Sequence, residues 1–413
     1  MSKQEAKGST LAVTYFTLQG VGTLISCNAI FNGLDYFAAR FTDNDVFTLL
    51  PMALNFGQLL SNFFLPKLLA KFSLERRVLI PLFFAAAILI GLPVVANILQ
   101  GTTFGFLVNL FLLFTLGTLS NTYQGSISGL ASAFPFKFTS YFLVGTGLSG
   151  LVMNALRAFA IISFANLQNG PLVGIIVYFT AAGLILIGCM LIHPVFMKSD
   201  FCKAYVTEPS EAEPLMNDSE CYQNSKPEKL EANFTTVISV FGEVKFFVLT
   251  LCLNYILSFI SFPGIMSEKP IPSMTNDWKL VSMLATFNVF DVVGKNLAQY
   301  RSKYTKWTIL GIVVSRVIYD ILFVLQAIPT SNAVLNAGWF GFLNIALFGL
   351  TNGFVTTALF IMGPEVVDGP KKELAGFLSI FGLVTGLTAG GLVALPINKY
   401  IKSKNSPTLF IQN

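Results

Sequence analysis

The chain has 413 residues, of which 54% are hydrophobic and 11% charged, with a formal net charge of +5. Soluble domains carry about 25% charged residues, so this chain has too few to coat a soluble surface, and a soluble fold is excluded. A single histidine, His193, and five scattered cysteines without a close pair exclude a Cys/His metal centre and a disulfide framework. No metal and no cofactor is expected. The basic residues are spread between apolar runs, a pattern that orients a membrane protein and forms no nucleic-acid patch.

A helix needs about 20 mostly apolar residues to cross a bilayer. Eleven such runs follow one another: Leu11–Phe37, Val46–Leu69, Val78–Leu99, Phe104–Ala131, Thr139–Ala165, Leu172–Met197, Val240–Ile265, Lys279–Ala298, Trp307–Ile328, Ala333–Met362 and Leu374–Ile397. They predict an all-α polytopic membrane protein with eleven transmembrane helices. The first run is longer than the apolar core of a cleaved signal peptide and is read as a retained helix.

Lys and Arg accumulate in cytoplasmic loops. With the N-terminus inside, 17 of the 26 basic residues face the cytoplasm, 6 face outward, and Arg157, Lys295 and Arg316 lie within spans. The bias predicts a cytoplasmic N-terminus and an extracellular C-terminus. The chain then divides into an N-terminal six-helix bundle (1–197), a cytoplasmic acidic disordered loop (198–238) and a C-terminal five-helix bundle (239–413). Two halves joined by a long inner loop is the layout of many secondary transporters. The loop contains the sequons Asn217-Asp218-Ser219 and Asn233-Phe234-Thr235, which this topology leaves unmodified. It also contains Glu211-Ala212-Glu213-Pro214-Leu215-Met216, loosely an acidic dileucine signal. The plasma membrane is the default location, and that signal leaves an endolysosomal membrane open.

Six of the charges inside the runs are the candidates for an interior role: Asp35, Arg157, Asp291, Lys295, Arg316 and Asp320. Each costs about 2.5–3.5 kcal/mol at the bilayer centre even on insertion scales, so they are expected to face the interior. Asp291 and Lys295 are four apart on one helix face, with Asn288 on the same face, and can neutralise each other. Arg316 and Asp320 share that spacing and read as a gate or an interhelical brace. Arg157 needs an acid from another helix, with Asp291 or Asp320 as candidates. Uncharged polar stripes recur at helical spacing: Leu24, Asn28, Asn32 and Asp35 in the first span; Asn121, Gln124 and Ser128 in the fourth; Asn254, Ser258 and Ser261 in the seventh. Stripes from both halves point to a shared polar cavity. Gly125 and Gly129, and Gly382, Gly386 and Gly390, are small-residue patterns suited to close helix packing. His193, just before Pro194, reads as a helix-end residue.

The eighth run, Phe287-Asn288-Val289-Phe290-Asp291-Val292-Val293-Gly294-Lys295, resembles the F-N-x-x-D-x-x-G-R signature of equilibrative nucleoside transporters. Gln124-Gly125-Ser126-Ile127-Ser128-Gly129-Leu130, Gly145-Thr146-Gly147-Leu148-Ser149-Gly150, Leu24 through Asn28 with Tyr36-Phe37, and Thr351-Asn352-Gly353-Phe354 with Pro364 are similar to further segments of that family, in order along the chain. The resemblance implies a major-facilitator-like 6+5 arrangement and transport of nucleosides, or nucleobases, by alternating access. It implies substrate-binding roles for Leu24, Asn28, Gln124, Asn288, Asp291 and Lys295. Three positions depart from the family pattern: Cys27 replaces a tryptophan, Lys295 replaces an arginine, and the proline expected after the ninth-span arginine is absent, with Asp320 nearby. An arginine fork and a lysine point charge are not equivalent at a bidentate site.

The expected function is therefore a carrier of nucleosides, purines favoured, with the lipid bilayer as its setting. Transport is either facilitated diffusion or coupled to protons. The alternatives are a major-facilitator-type carrier of another small organic solute and a receptor without flux. A membrane enzyme is disfavoured, because the chain offers no nucleophile–base pair or metal cluster.

Overall fold

A computed structural model of the protein describes residues 3–206 and 234–405, apart from 272, 299, 301–303 and 370. In chain order the helices are α1 (Lys3–Asn32), α2 (Leu34–Ala38), α3 (Val46–Lys71), α4 (Leu74–Ile98), α5 (Thr103–Ala133), α6 (Phe136–Phe164), α7 (Gly170–Met197) and α8 (Asp200–Val206). After the undescribed segment come α9 (Phe234–Ile260), a π-helical turn (Ser261–Ile265), α10 (Met266–Glu268), α11 (Asn276–Leu297), α12 (Lys306–Ser315), α13 (Val317–Ala327), α14 (Ala333–Asn336), α15 (Gly338–Glu365) and α16 (Lys371–Asn405). The two loop sequons and the dileucine-like segment include residues outside the described ones. The first residues of the expected loop form α8, with Cys202 buried, and α9 begins within the loop's predicted end.

Each predicted span has a helix at its position. Nine helices among the described residues are long and apolar enough to cross a membrane. The other two positions hold α3, of 26 residues, and α11, of 22. Both owe their lower hydropathy to polar side chains that face inward: Asn55, Gln58, Ser61 and Asn62 on α3, and Asn288, Asp291 and Lys295 on α11, all buried.

Local chemistry sets several boundaries. Thr102 caps α5 by accepting a hydrogen bond from the Gly105 amide at 3.0 Å. Phe134-Pro135 separates α5 from α6, because proline disfavours a helical conformation in the residue before it. Two expected spans are divided. Gly33 ends α1, so Asp35 lies in the short α2 beyond the span and is not part of a continuous first-span stripe. The ninth span is interrupted at Arg316 between α12 and α13, yet Arg316 and Asp320 stay one turn apart, with the Asp320 amide donating to the Arg316 carbonyl at 3.4 Å.

The helices pack in close pairs: α1 with α6, α3 with α5, α4 with α7, α9 with α16, and α11 with α15. The glycine pattern on α16 explains one of these. A Cβ at Gly382 would come within 2.7 Å of the Val248 carbonyl oxygen, and one at Gly390 within 2.5 Å of that of Ile256. The backbones of α9 and α16 therefore meet without intervening side chains.

Contacts between the earlier and later helices run through α5, α6 and α3 on one side and α16 and α11 on the other. At the end bearing the α5–α6 turn, Ser128 Oγ donates to the Gly376 carbonyl at 3.3 Å, and Arg77 on α4 lies 3.5 Å from Glu373 on α16. At the opposite end, Phe31 of α1 packs edge-on against Phe262 with centroids 6.4 Å apart, and Phe262 lies 4.4 Å from Phe287 of α11. A cavity of about 390 Å³ opens beside the α5–α6 turn, lined by Phe134, Pro135, Phe136, Phe360, Pro364 and Lys372 among others.

Candidate substrate site

The site is organised by a small-residue segment of α6. A Cβ at Gly147 would lie 2.7 Å from Val292 Cγ2 and 3.3 Å from Asp291 Oδ2, and one at Gly150 would collide with the Asn288 amide. Glycine at these two positions lets the polar face of α11 lie directly on α6. Polar side chains beside the glycines add further links to α11 and α1. Lys295 Nζ donates to Thr146 Oγ1 at 2.8 Å, and Asn28 Nδ2 of α1 donates to Ser149 Oγ at 3.1 Å.

Asp291 is buried and held on both oxygens. Its Oδ2 pairs with Lys295 Nζ at 2.7 Å, and its Oδ1 accepts from Asn352 Nδ2 of α15 at 2.8 Å. The Asn352 carbonyl oxygen accepts in turn from Asn254 Nδ2 at 3.2 Å and Ser258 Oγ at 2.9 Å, both on α9. Ser258 Oγ also accepts from Arg316 Nη2 at 2.7 Å. One polar chain thus links α6, α11, α15, α9 and the α12–α13 break. The charges of Asp291 and Lys295 cancel inside it. Each carboxylate oxygen keeps a second lone pair open to a further donor.

Arg316 is fully buried; its two Nη groups find partners other than a carboxylate, while Nε has none among the described residues. Nη1 donates to the Phe348 carbonyl at 2.9 Å and to Thr351 Oγ1 at 2.8 Å, while the group lies 4.3 Å from the Phe348 ring centroid. Asp320 points elsewhere, accepting from Ser261 Oγ at 2.5 Å. The two side chains reach different neighbours, Arg316 bridging to α9 and α15 and Asp320 to Ser261 of the π turn, with no hydrogen bond between them among the described residues. The partner expected for Arg157 is corrected. It ion-pairs with Asp35, and neither Asp291 nor Asp320 takes that role. Asp35 reaches it from α2, which Gly33 sets off from α1.

The structure brings Asn28, Asn288, Asp291 and Lys295 to the same stretch of α6. Leu24 is half-buried one turn before Asn28. Gln124, 4% exposed on α5, has no hydrogen-bond partner among the described residues and is not tied into the chain through Asp291. Where the family tryptophan would stand, Cys27 Sγ accepts from Gln58 Nε2 of α3 at 3.0 Å. Sequence reasoning passed over Thr146, Ser149 and Asn352 as site residues. Asn352 carried a signal, since it stands in the segment that resembles the family. The partnership of Thr146 with Lys295 carried none, because a lone threonine in a glycine-rich helix is common.

Long apolar helices packed around a buried polar interface give an all-α polytopic fold of major-facilitator architecture. The solved fucose transporter FucP, a major facilitator in its outward conformation, is similar with a TM-score of 0.58 over 97% of this chain and 98% of its own, at 13% identity. The proton:xylose symporter XylE gives 0.61 over 96% of each chain at 11% identity. The nucleoside transporter family model matches residues 110–398, and the chain belongs to that family. Equilibrative nucleotide transporter 1 of Arabidopsis thaliana is 26% identical over 92% of this chain and 84% of its own length. Human equilibrative nucleoside transporter 1 is 22% identical over 70% of this chain and 68% of its own. The protein is a membrane transporter of this nucleoside-carrying family and not an enzyme.

Proposed function

We propose that the chain moves nucleosides, purines ahead of pyrimidines and nucleobases included, by alternating access around the polar interface of α6 and α11. The observation that carries this reading is the junction of Asp291, Lys295, Asn288 and Asn28 on one glycine-lined stretch of α6, with a buried, unengaged Gln124 amide on α5. The spare lone pairs of Asp291 suit ribose hydroxyl donors, and those hydrogen bonds are charge-assisted. Gln124 offers a donor and an acceptor to a base edge. The apolar remainder suits the flat faces of the base.

In this reading all eleven helices span the membrane, with the N-terminus cytoplasmic and the C-terminus outside, in the plasma membrane. Residues 1–197 and 239–413 are the two rocking bodies and 198–238 the inner connection. The α5–α6 turn then lies at the cytoplasmic end and the Phe31–Phe262 contact at the outer end. Purified protein in liposomes is expected to take up labelled adenosine, with hypoxanthine as the nucleobase arm. Uptake of a sugar or amino acid with no uptake of either compound would reject the assignment.

The Arg77–Glu373 pair supports an inner latch, because its partners come from different halves. Glu373 is half exposed, so the pair contributes at most about 1 kcal/mol. Glu373→Gln is expected to leave the fold intact and bias the carrier toward an open inner end. In a Ser132→Cys background, labelling by a membrane-impermeant maleimide from the cytoplasmic side should quicken about two- to fivefold, the change that up to 1 kcal/mol allows. An unchanged labelling rate would count against the latch.

A further inference from the structure

We propose that the cavity beside the α5–α6 turn is a regulatory site for a nucleoside 5′-monophosphate, which holds α5 and α6 against α15 and α16 and so slows transport. The inference rests on the nucleoside-transport reading and adds a second, anionic ligand to it. None of Asn28, Gln124, Asn288, Asp291 and Lys295 lines this cavity, so it is separate from the polar interface of α6 and α11.

The cavity has a volume of about 390 Å³, within the range of about 300–1,000 Å³ that small-molecule sites occupy. Phe134 and Phe360 are buried at its wall, and Phe136 stands half-exposed beside them. Phe134 is fixed in place by Phe16, Phe138 and Phe196, with ring centroids 5.1, 5.8 and 6.0 Å away. A wall held in this way gives a flat aromatic solute a surface that is already ordered. Ser132 and Thr139 add two hydroxyls. Ser132 Oγ donates to the Ser128 carbonyl at 2.9 Å, and Thr139 Oγ1 to the Ala131 carbonyl at 3.0 Å. Their protons are engaged, so both oxygens are left as acceptors for a ligand's donors. Lys372 of α16 supplies the charge. It makes no hydrogen bond or ion pair among the described residues, while its neighbours Lys371 and Glu373 are taken up by Glu243 at 3.0 Å and Arg77 at 3.5 Å. Glu365, at the exposed rim, has an interaction of its own. A fitting solute must therefore combine a flat face, hydroxyl donors and a negative charge. A nucleoside has the first two and leaves the ammonium without a counter-charge. Its 5′-monophosphate has all three, the phosphate accepting charge-assisted hydrogen bonds from Lys372. A lipid acyl chain matches the apolar wall and offers the hydroxyls no donor.

The walls come from distant parts of the chain, α5 and α6 on one side and α15 and α16 on the other. These helices already touch at this end, where Ser128 donates to the Gly376 carbonyl, and Arg77 of α4 reaches Glu373 nearby. A ligand seated between the walls binds best while they face each other. It therefore draws the carrier toward this arrangement by the difference in its affinity for the two states. The topology proposed above places this end in the cytoplasm, so the ligand reports the pool of cargo already phosphorylated inside the cell. Uptake then falls as that pool fills.

The test uses the full chain in liposomes, with adenosine 5′-monophosphate as the probe on both faces. Adenosine exchange is expected to fall several-fold, and raising adenosine should not relieve the inhibition. Lys372→Gln should weaken the inhibition at least about tenfold, the loss of one charge-assisted hydrogen bond, and Lys372→Arg should retain it. Exchange without the monophosphate should stay near wild type in both variants, which serves as the folding control. The monophosphate should also protect Ala133→Cys, at the cavity wall, from a membrane-impermeant maleimide. Inhibition relieved by adenosine, inhibition untouched by Lys372→Gln, or equal inhibition by inorganic phosphate overturns the proposal. Anionic phospholipid that blocks the Ala133→Cys labelling without the monophosphate would assign the cavity to lipid and overturn it as well. If no adenosine flux is found, the transport reading fails on its own. Equilibrium dialysis of the monophosphate against detergent-solubilised wild type and Lys372→Gln then decides the site: binding that depends on Lys372 supports it, and no binding rejects it.

Discussion

Replacing Asp291 with Asn should lower nucleoside uptake at least tenfold while the amount of protein at the surface changes by less than about twofold. The asparagine is nearly isosteric and still offers an oxygen to Lys295 or to Asn352. What it removes is the charge that neutralises Lys295 and strengthens every hydrogen bond to the carboxylate. Hydrogen bonds to charged groups are worth about 1.5–3 kcal/mol, and 1.4 kcal/mol is already tenfold in an equilibrium. Uptake of labelled adenosine beside surface biotinylation checks both halves of this expectation. Wild-type uptake in the variant would remove Asp291 from the site.

Gly150→Val should be comparably damaging for a different reason. Any Cβ at this position meets the Asn288 amide, and two further methyls have no room on the face shared with α11. Overpacking costs about 1–3 kcal/mol, and here it would fall on the contact between α6 and α11. Transport is expected to drop by more than tenfold, with Gly150→Ala intermediate because Asn288 can turn aside for one methyl. Equal activity of the Ala and Val variants would mean that α6 and α11 are not in contact during any slow step of transport. Thermal unfolding of the purified variants separates a blocked cycle from a collapsed fold.

Much of the architecture was legible because lipid imposes a simple demand. A run of apolar residues long enough to cross hydrocarbon must be helical, so the helix positions follow from hydropathy. The Asp291–Lys295 pair was equally legible, since four-residue spacing joins two side chains on any helix. Arg316 and Asp320 share that spacing and one helical turn, yet each reaches a different neighbour, which spacing alone does not encode. The partner of Arg157 was out of reach, because it depends on Gly33 interrupting the first span and placing Asp35 on a separate turn. The links through Thr146, Asn352 and Ser258 join four helices, and no one-dimensional periodicity encodes which helices touch. Glycine stripes do encode where a close approach is permitted, as the α9–α16 crossing illustrates, though not against which helix.

That seam between α9 and α16 bears on the thermodynamics of the cycle. With backbone lying on backbone at Gly382 and Gly390, few side chains stand between the two helices to change rotamer when the bundle tilts. On this geometry the pair is expected to move as a slab, its internal freedom nearly the same in every state. The heat and disorder exchanged per turnover must then arise at the surfaces that part and rejoin, so the activation entropy of transport reports on those surfaces and not on the slab.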